Sequence, residues 1–212
     1  MLFQIGFDGC ATSALYRLFL ESGVRALHSS GQHWRLRGDP VVRGIHVQRK
    51  IRDNIASGQA PLTDLSGFDA FFAMHASGGS ARGGIIENFR RFDVIAAAYP
   101  EAKFLLNRRD LDLWLEARAR HGDGTILRRT MAQTGLSAKA VLDLWAADFE
   151  THNAHVVAHF LPAPERLLVF DADTTAIDAV VAFAAPLMRL DPRLWQYRGQ
   201  AAPKPRTSRV AA

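Results

Sequence analysis

Short apolar runs alternate with amphipathic segments along most of this chain, and this alternation limits the possible folds more than any other feature. The apolar runs, which we expect to be strands, cover residues 2–7, 24–28, 68–74, 103–107 and 166–170. All but the second are almost continuously apolar, which is typical of parallel strands buried on both faces. Helical spacing of apolar residues lies between them. The pattern predicts an α/β protein with a parallel sheet of about five strands flanked by helices.

The helical patterns cover residues 12–22, 41–57, 84–98, 110–120, 137–160 and 174–185. The first of them places Leu15, Leu18 and Phe19 along one stripe. Pro100 and Pro186 mark the ends of two others, because proline cannot continue a helix beyond its first turn. The Gly/Ser-rich segment 75–84 follows the third strand directly, where loops of open α/β sheets bind ligands.

Composition indicates an ordinary globular protein, since 48% of the 212 residues are hydrophobic and 22% are charged. No internal repeat is present, which predicts a single domain over residues 1–199 and a flexible basic tail over residues 200–212. The single cysteine excludes an intrachain disulfide. No apolar run is long enough to span a membrane and no leader pattern precedes the first strand, so we expect a cytoplasmic protein.

The formal net charge is +5 and the sequence pI is about 9.9, which favours anionic partners. The basic residues are scattered and lack the interleaved aromatic residues of a groove that binds single-stranded nucleic acid. Charge therefore favours a nucleotide or another small anion over nucleic acid. The sequence does not indicate an oligomeric state.

Residues 8–14, "DGCATSA", lie between a buried strand and an amphipathic helix. The first backbone N–H groups of a helix lack intrahelical partners and carry partial positive charge, so they can hold a phosphate. The hydroxyls of Thr12 and Ser13 would add donors. The alternative is that Thr12 or Ser13 caps the helix. The string is not a Walker A motif, which requires a lysine followed by serine or threonine.

Four stretches in collinear order resemble the sulfotransferase superfamily, specifically its short bacterial members that use 3′-phosphoadenylyl sulfate (PAPS). Residues 5–19, "IGFDGCATSALYRLF", are similar to the family's "IGFNKCGTTSLYRLF". Residues 104–122, "FLLNRRDLDLWLEARARHG", are similar to "FILNTRDxDxWLxSRxxH". The pair His33–Trp34 and the segment 165–173, "ERLLVFDAD", also match. The resemblance implies a three-layer P-loop-type fold and a nucleotide cofactor, PAPS.

By this resemblance, five loop residues would hold the 5′-phosphosulfate end of PAPS with backbone amides and two hydroxyls: Gly9, Cys10, Ala11, Thr12 and Ser13. Arg109 would contact the 3′-phosphate, a task that suits the fixed donor fork of a guanidinium. The alternative for Arg109 is a surface ion pair with Asp110 or Asp112.

Two positions depart from the family pattern. Gly9 replaces the loop lysine that neutralises the leaving phosphate, and Ala117 replaces a serine of the 3′-phosphate site. Losing one donor aimed at developing charge costs roughly 10²–10³ in rate. Another cation would have to compensate, and the sequence offers four candidates: Arg17, Arg82, Arg108 and Lys204. Asp8, if ionised, would make the loop less favourable to an anion.

Sulfuryl transfer needs a base for the acceptor proton, and histidine is suited to this because its ordinary pKa lies near neutrality. His75 follows the third strand and is the first candidate, with His33 second. Three histidines share one helix face, His152, His155 and His159, but no carboxylate or thiol completes a metal site, so we expect no metal. Cys10 is expected to be structural.

These features predict a sulfotransferase that transfers a sulfuryl group from PAPS to a hydroxyl or amine of a small-molecule or glycan acceptor. The alternative is a non-catalytic protein of the same fold that binds a phosphorylated ligand or a protein partner. A third interpretation is a kinase that uses ATP and magnesium, with Asp171 as a metal ligand. The segment 29–66 is expected to shape the acceptor side.

Overall fold

A computed structural model describes residues 1–28, 47–76 and 85–197. Within these ranges the strands are β1 (Leu2–Gln4), β2 (Ala26–His28), β3 (Ala70–Phe72), β4 (His75–Ala76), β5 (Ile86–Glu87), β6 (Lys103–Arg108) and β7 (Leu167–Asp171). The helices are α1 (Thr12–Glu21), α2 (Val47–Ala56), α3 (Phe92–Ala98), α4 (Leu111–Thr134), α5 (Ala138–Phe160) and α6 (Asp178–Ala184).

Five strands form one parallel sheet in the order β2-β3-β1-β6-β7. These are the five strands predicted from the apolar runs, and their parallel pairing is confirmed. The first strand lies at the centre, with Leu2 beside Ala70 of β3 and Lys103 of β6. After β1 the chain forms β2 and β3 on one side of β1, and it later forms β6 and β7 on the other side.

Helices cover both faces of this sheet. Alternate strand residues point to opposite faces, so Phe3 joins one core and Leu2 the other. The core around Phe3 also contains residues of α2, α3, α4 and α5, and the core around Leu2 contains residues of α1 and α6. The α/β architecture expected from the sequence is therefore confirmed.

Three helices differ clearly from their predicted bounds; of the segment 174–185, only Asp178–Ala184 is helical. The segment 84–98 was predicted as one helix, but Ile86–Glu87 pairs with His75–Ala76 as an antiparallel strand, and a 3-10 turn (Asn88–Arg91) precedes α3. The helix predicted over 110–120 continues to Thr134, across a break of non-helical backbone at His121–Gly124. Beyond the break, Ile126, Leu127 and Met131 pack against the core and hold the second half of α4 in place.

Several predictions fall outside the described residues. They concern His33, Trp34, Arg82, Lys204, most of the Gly/Ser-rich segment, the tail from Gln200 and part of the expected acceptor segment. In the parts of the chain that the structure describes, none of the helices combines the length and apolar character that a membrane crossing requires.

Candidate functional site

The candidate site lies where β1, β3 and β6 end side by side. The carboxyl edge of a parallel sheet, at the point where the strand order reverses, is where open α/β folds bind ligands. Here the chain after β1 turns into α1, and the ends of β3 and β6 lie on either side of that turn. The topology therefore brings three separate parts of the sequence to one edge.

The turn before α1 has two residues with left-handed backbone. Gly9 has φ 82° and Ala11 has φ 61° and ψ 15°. No side chain of the described residues caps the helix, and the Thr12 hydroxyl, which is buried, instead donates to the carbonyl oxygen of Phe7 at 3.4 Å. The capping alternative is therefore wrong. The first backbone N–H groups of a helix lack intrahelical partners, so the uncapped start of α1 is suited to bind an anion.

A buried network of two amide side chains fixes this turn. Asn107 donates from Nδ2 to the carbonyl oxygen of Cys10 at 2.6 Å and to Thr12 Oγ1 at 3.1 Å. Its Oδ1 accepts from Gln4 Nε2 at 2.5 Å. Gln4 Oε1 in turn accepts from the backbone N–H of Ala73, two residues before His75. The network connects the turn after β1 to the ends of both neighbouring strands.

The described residues enclose a cavity of about 530 Å³ at this edge. Four of the predicted loop residues line this cavity: Gly9, Ala11, Thr12 and Ser13. The residue predicted as the base lines it as well. The predicted base is His75, which is partly exposed and begins strand β4. The structure thus brings together a loop and a histidine that are more than sixty positions apart in the sequence.

Cys10 is placed differently from its loop neighbours. Its side chain is fully buried and is not among the described residues that line the cavity. Burial raises the pKa of the thiol, and the nearby guanidinium of Arg109 opposes this only in part. The thiol is therefore protonated at neutral pH. The role left to Cys10 is structural, since its carbonyl oxygen accepts the hydrogen bond from Asn107.

Arg109 lies beside the loop and outside the described lining of the cavity. Its side chain is only 11% exposed and pairs with Asp173 at 3.3 Å, and Nη1 donates to the carbonyl oxygen of Gly9 at 3.4 Å. The alternative ion pair with Asp110 or Asp112 is therefore wrong, because Asp110 caps α4 by accepting from Leu113 N. Arg109 Nε is buried and has no hydrogen-bond partner in the part of the chain described.

Two arginines line the cavity, and one of them was missed by sequence reasoning. Arg17, one turn into α1, is exposed, and no carboxylate of the described residues pairs with it. Arg118 of α4 lines the cavity as well and pairs with Asp8 at 2.9 Å. Arg108 does not line it and lies 3.8 Å from Asp171. The signal for Arg118 was its place in residues 104–122, where the sulfotransferase pattern quoted above also has arginine.

The three histidines of α5 have packing roles. His152 is buried, and its Nε2 donates to the carbonyl oxygen of Ile5 at 2.8 Å. His155 and His159 both pack edge-on against Phe92. Among the residues that the structure describes, no three histidine, cysteine or acidic side chains form a metal-binding group.

No protein-family model matches the chain, and no curated protein is similar to it. The functional conclusion therefore depends on the cavity itself.

Proposed function

We propose that this protein is a PAPS-dependent sulfotransferase with a P-loop-type α/β fold. The observation that carries the proposal is that the turn before α1 and His75 line the same cavity. A protein that only binds an anion needs the turn alone, whereas transfer also needs a base next to it. The residues that line the cavity include a candidate for each role.

The residues present fit the two anionic ends of PAPS to different degrees. The cavity volume of about 530 Å³ lies within the usual range for small-molecule sites. The turn at Gly9–Ser13 suits the phosphosulfate, with backbone amides and the Ser13 hydroxyl. For the 3′-phosphate, Arg109 lies beside the loop but outside the described lining of the cavity, so a contact would require its guanidinium to turn away from Asp173. Ala117 lines the cavity but provides no hydroxyl there.

PAPS would supply the sulfuryl group, and the residues of this chain would direct its transfer. His75 would take the proton of the acceptor hydroxyl or amine while the acceptor atom bonds to sulfur and the bond from sulfur to the 5′-phosphate oxygen breaks. The amides at the start of α1 would hold the charge that remains on the phosphate. Arg17 would add positive charge from the second turn of the same helix.

Calorimetric titration with 3′-phosphoadenosine 5′-phosphate, the product nucleotide, tests the cofactor. We expect binding at micromolar concentrations that weakens by about tenfold or more in Arg109→Ala, because the variant loses a charge-assisted contact. Release of this nucleotide from PAPS, followed by chromatography with a panel of hydroxyl and amine acceptors, tests the reaction. His75→Gln should retain nucleotide binding and lose roughly 10²-fold or more in turnover.

His159→Gln is the matched control for the turnover assay. It removes an exposed imidazole from α5 that packs on Phe92 and does not line the cavity. Turnover in this variant should equal that of the wild type. Equal turnover of His75→Gln and the wild type would overturn the assignment of the base.

A second candidate is a non-catalytic nucleotide-binding protein, and one observation favours it. The residue at the position of the family's lysine is Gly9, and its left-handed backbone suits glycine better than lysine. This chain would then keep the binding turn without the cation that assists departure of the phosphate. Nucleotide binding with no PAPS turnover for any acceptor would establish the second candidate. Binding of ATP with magnesium and no binding of the 3′-phosphorylated nucleotide would exclude both.

A further inference from the structure

Arg118 is held in a fixed position at the wall of the cavity. Its Nη1 donates to Asp8 Oδ1 at 2.9 Å. Its guanidinium carbon lies 5.3 Å from the ring centroid of Trp114 and 4.9 Å from that of Trp145. Stacking on two indoles restricts the side chain, and a guanidinium prefers such faces. The side chain is only 19% exposed, so its charge is screened little by solvent.

Arg118 also keeps hydrogen-bonding capacity. Its Nε is buried and has no partner within the described parts of the chain, so the donors that a ligand can reach are those of the two Nη atoms. One nitrogen of the guanidinium is bonded to Asp8, and this bond uses only one of the five N–H donors. A cation that lines a cavity with donors to spare can bind an oxyanion there.

The direction that a side chain at position 9 would take connects Arg118 to the loop lysine of the family pattern, which this chain lacks. A Cβ atom built on Gly9 would lie 3.5 Å from Cδ1 and 3.7 Å from Nε1 of the Trp114 indole. A side chain at position 9 would therefore start toward the same indole that Arg118 covers. The Trp114 Nε1–H donates to the carbonyl oxygen of Asp8 at 2.9 Å, which fixes the indole against the loop. The two positions are therefore both next to the Trp114 indole.

We infer that Arg118 supplies the positive charge that a lysine at position 9 would provide, and that it binds the phosphate end of the nucleotide. The inference rests on the proposed function for the identity of that nucleotide. In the absence of an anion, the carboxylate of Asp8 pairs with the guanidinium of Arg118. A bound phosphate would compete with Asp8 for Arg118, so Asp8 lowers the affinity of the site while it positions the arginine.

This arrangement predicts opposite effects for the two partners of one ion pair. Arg118→Gln should weaken binding of 3′-phosphoadenosine 5′-phosphate by about 10- to 100-fold, because a charge-assisted contact is lost. Asp8→Asn should strengthen binding by several-fold, because the competing carboxylate is gone. A purely structural ion pair would give weaker binding in both variants. Arg118→Lys should recover part of the affinity, since it restores the charge without the planar fork.

Arg120→Gln is the matched control. Arg120 lies on the same helix, is 77% exposed and pairs only with Glu116 among the described residues. Its loss should leave the affinity unchanged. Thermal unfolding of every variant separates lost binding from lost folding; if Arg118→Gln is unfolded, the comparison of Arg118→Lys and Asp8→Asn decides. Unchanged affinity in Arg118→Gln, or weaker binding in Asp8→Asn, would overturn the inference.

Titration with inorganic pyrophosphate distinguishes this inference from the proposed function. If the wild type binds pyrophosphate in an Arg118-dependent way and does not bind the nucleotide, the anion site is supported and the proposed function fails. If the nucleotide binds equally well with and without Arg118, the proposed function is supported and this inference fails. If neither anion binds, both fail.

Discussion

Two positions near the loop, Gly6 and Gly9, favour glycine for different physical reasons. At Gly6 a Cβ atom would overlap the carbonyl oxygen of Asn107, because β6 approaches the chain closely there. At Gly9 a Cβ atom would have ordinary contacts with Trp114, and the constraint is instead the left-handed backbone at φ 82°. The first constraint is steric and cannot relax without moving a strand. The second is a local conformational preference.

Gly6→Ala and Gly9→Ala should therefore differ in their effects on the free energy of unfolding. We expect Gly9→Ala to cost about 1–2 kcal/mol, the cost of left-handed backbone for a residue with a Cβ atom. Gly6→Ala should cost more, about 3 kcal/mol or above, because strand pairing is displaced. Urea unfolding measures both.

Gly58→Ala is the control for backbone strain alone. Gly58 has φ 73°, and no described atom lies within 4 Å of its built Cβ atom. Its cost should match that of Gly9→Ala. If Gly6→Ala lowered the free energy of unfolding as little as Gly58→Ala, the steric explanation from the close approach of Asn107 would be wrong. The same strain applies to a lysine introduced at position 9, so Gly9→Lys should be compared with Gly9→Ala and not with the wild type.

At the scale of elements, Asn107 joins the loop to two strands. It lies in β6, is fully buried, and bonds to Cys10 O, Thr12 Oγ1 and Gln4. Removing it leaves several buried polar groups without partners, each at a cost of about 1–3 kcal/mol. It also releases the turn whose amides would hold the phosphate.

Asn107→Ala should therefore lower both the stability and the affinity for 3′-phosphoadenosine 5′-phosphate. The matched variant is Asn88→Ala, which removes another buried asparagine whose Nδ2 donates to Gln48 O at 2.8 Å and, among the described residues, to no atom of the loop. Asn88→Ala should lower stability and leave affinity intact in the folded protein. Calorimetry below the unfolding temperature measures the difference. An equal loss of affinity in both variants would show that Asn107 has no specific role in positioning the turn.

The elements that the sequence predicted are those with long local patterns. Four of the five parallel strands followed from almost continuous apolar runs, which burial on both faces favours. Strands β4 and β5 have two residues each and show no period, so the pattern of 84–98 was interpreted as one helix. The helix predicted over 110–120 ends where the backbone of His121–Gly124 is non-helical, but the continuation to Thr134 depends on packing of Ile126 and Met131.

The candidate site was predictable only where it is local. The loop and His75 stand out because each follows a strand. The contacts of Arg118 with Asp8 and of Asn107 with Cys10 join residues about a hundred positions apart, and a single sequence carries no signal for such pairs. Arg109 was placed at the correct strand end, but its ion pair with Asp173 depends on how β6 and β7 align.

At the scale of the whole molecule, His152 connects helix α5 to the chain just after β1. It lies in α5, and its Nε2–H bonds to Ile5, 147 positions earlier. The rings of Phe7, Phe89 and Phe92 surround it edge-on. Burial lowers the pKa of His152; the hydrogen bond to Ile5 opposes this effect, and the charge of Arg90 adds to it. The native protein therefore holds this imidazole neutral.

The folded protein should lose stability as the pH falls below about 6.5, the pKa of an unperturbed histidine. The unfolded chain binds a proton in this pH range more readily than the native His152 does. The free energy of unfolding therefore changes by at most about 1.4 kcal/mol per pH unit from this group.

Other groups titrate too, and the comparison is therefore with His152→Gln, whose amide can donate to Ile5 without gaining a charge. Urea unfolding at pH 8.0, 6.5 and 5.5 (about these values) should show a smaller loss in His152→Gln than in the wild type. His159→Gln, which removes an exposed histidine from the same helix, should behave as the wild type. His152 anchors α5 beside the strand that leads into the loop. Parallel pH profiles for all three proteins would show that the charge state of His152 does not affect the stability of this contact.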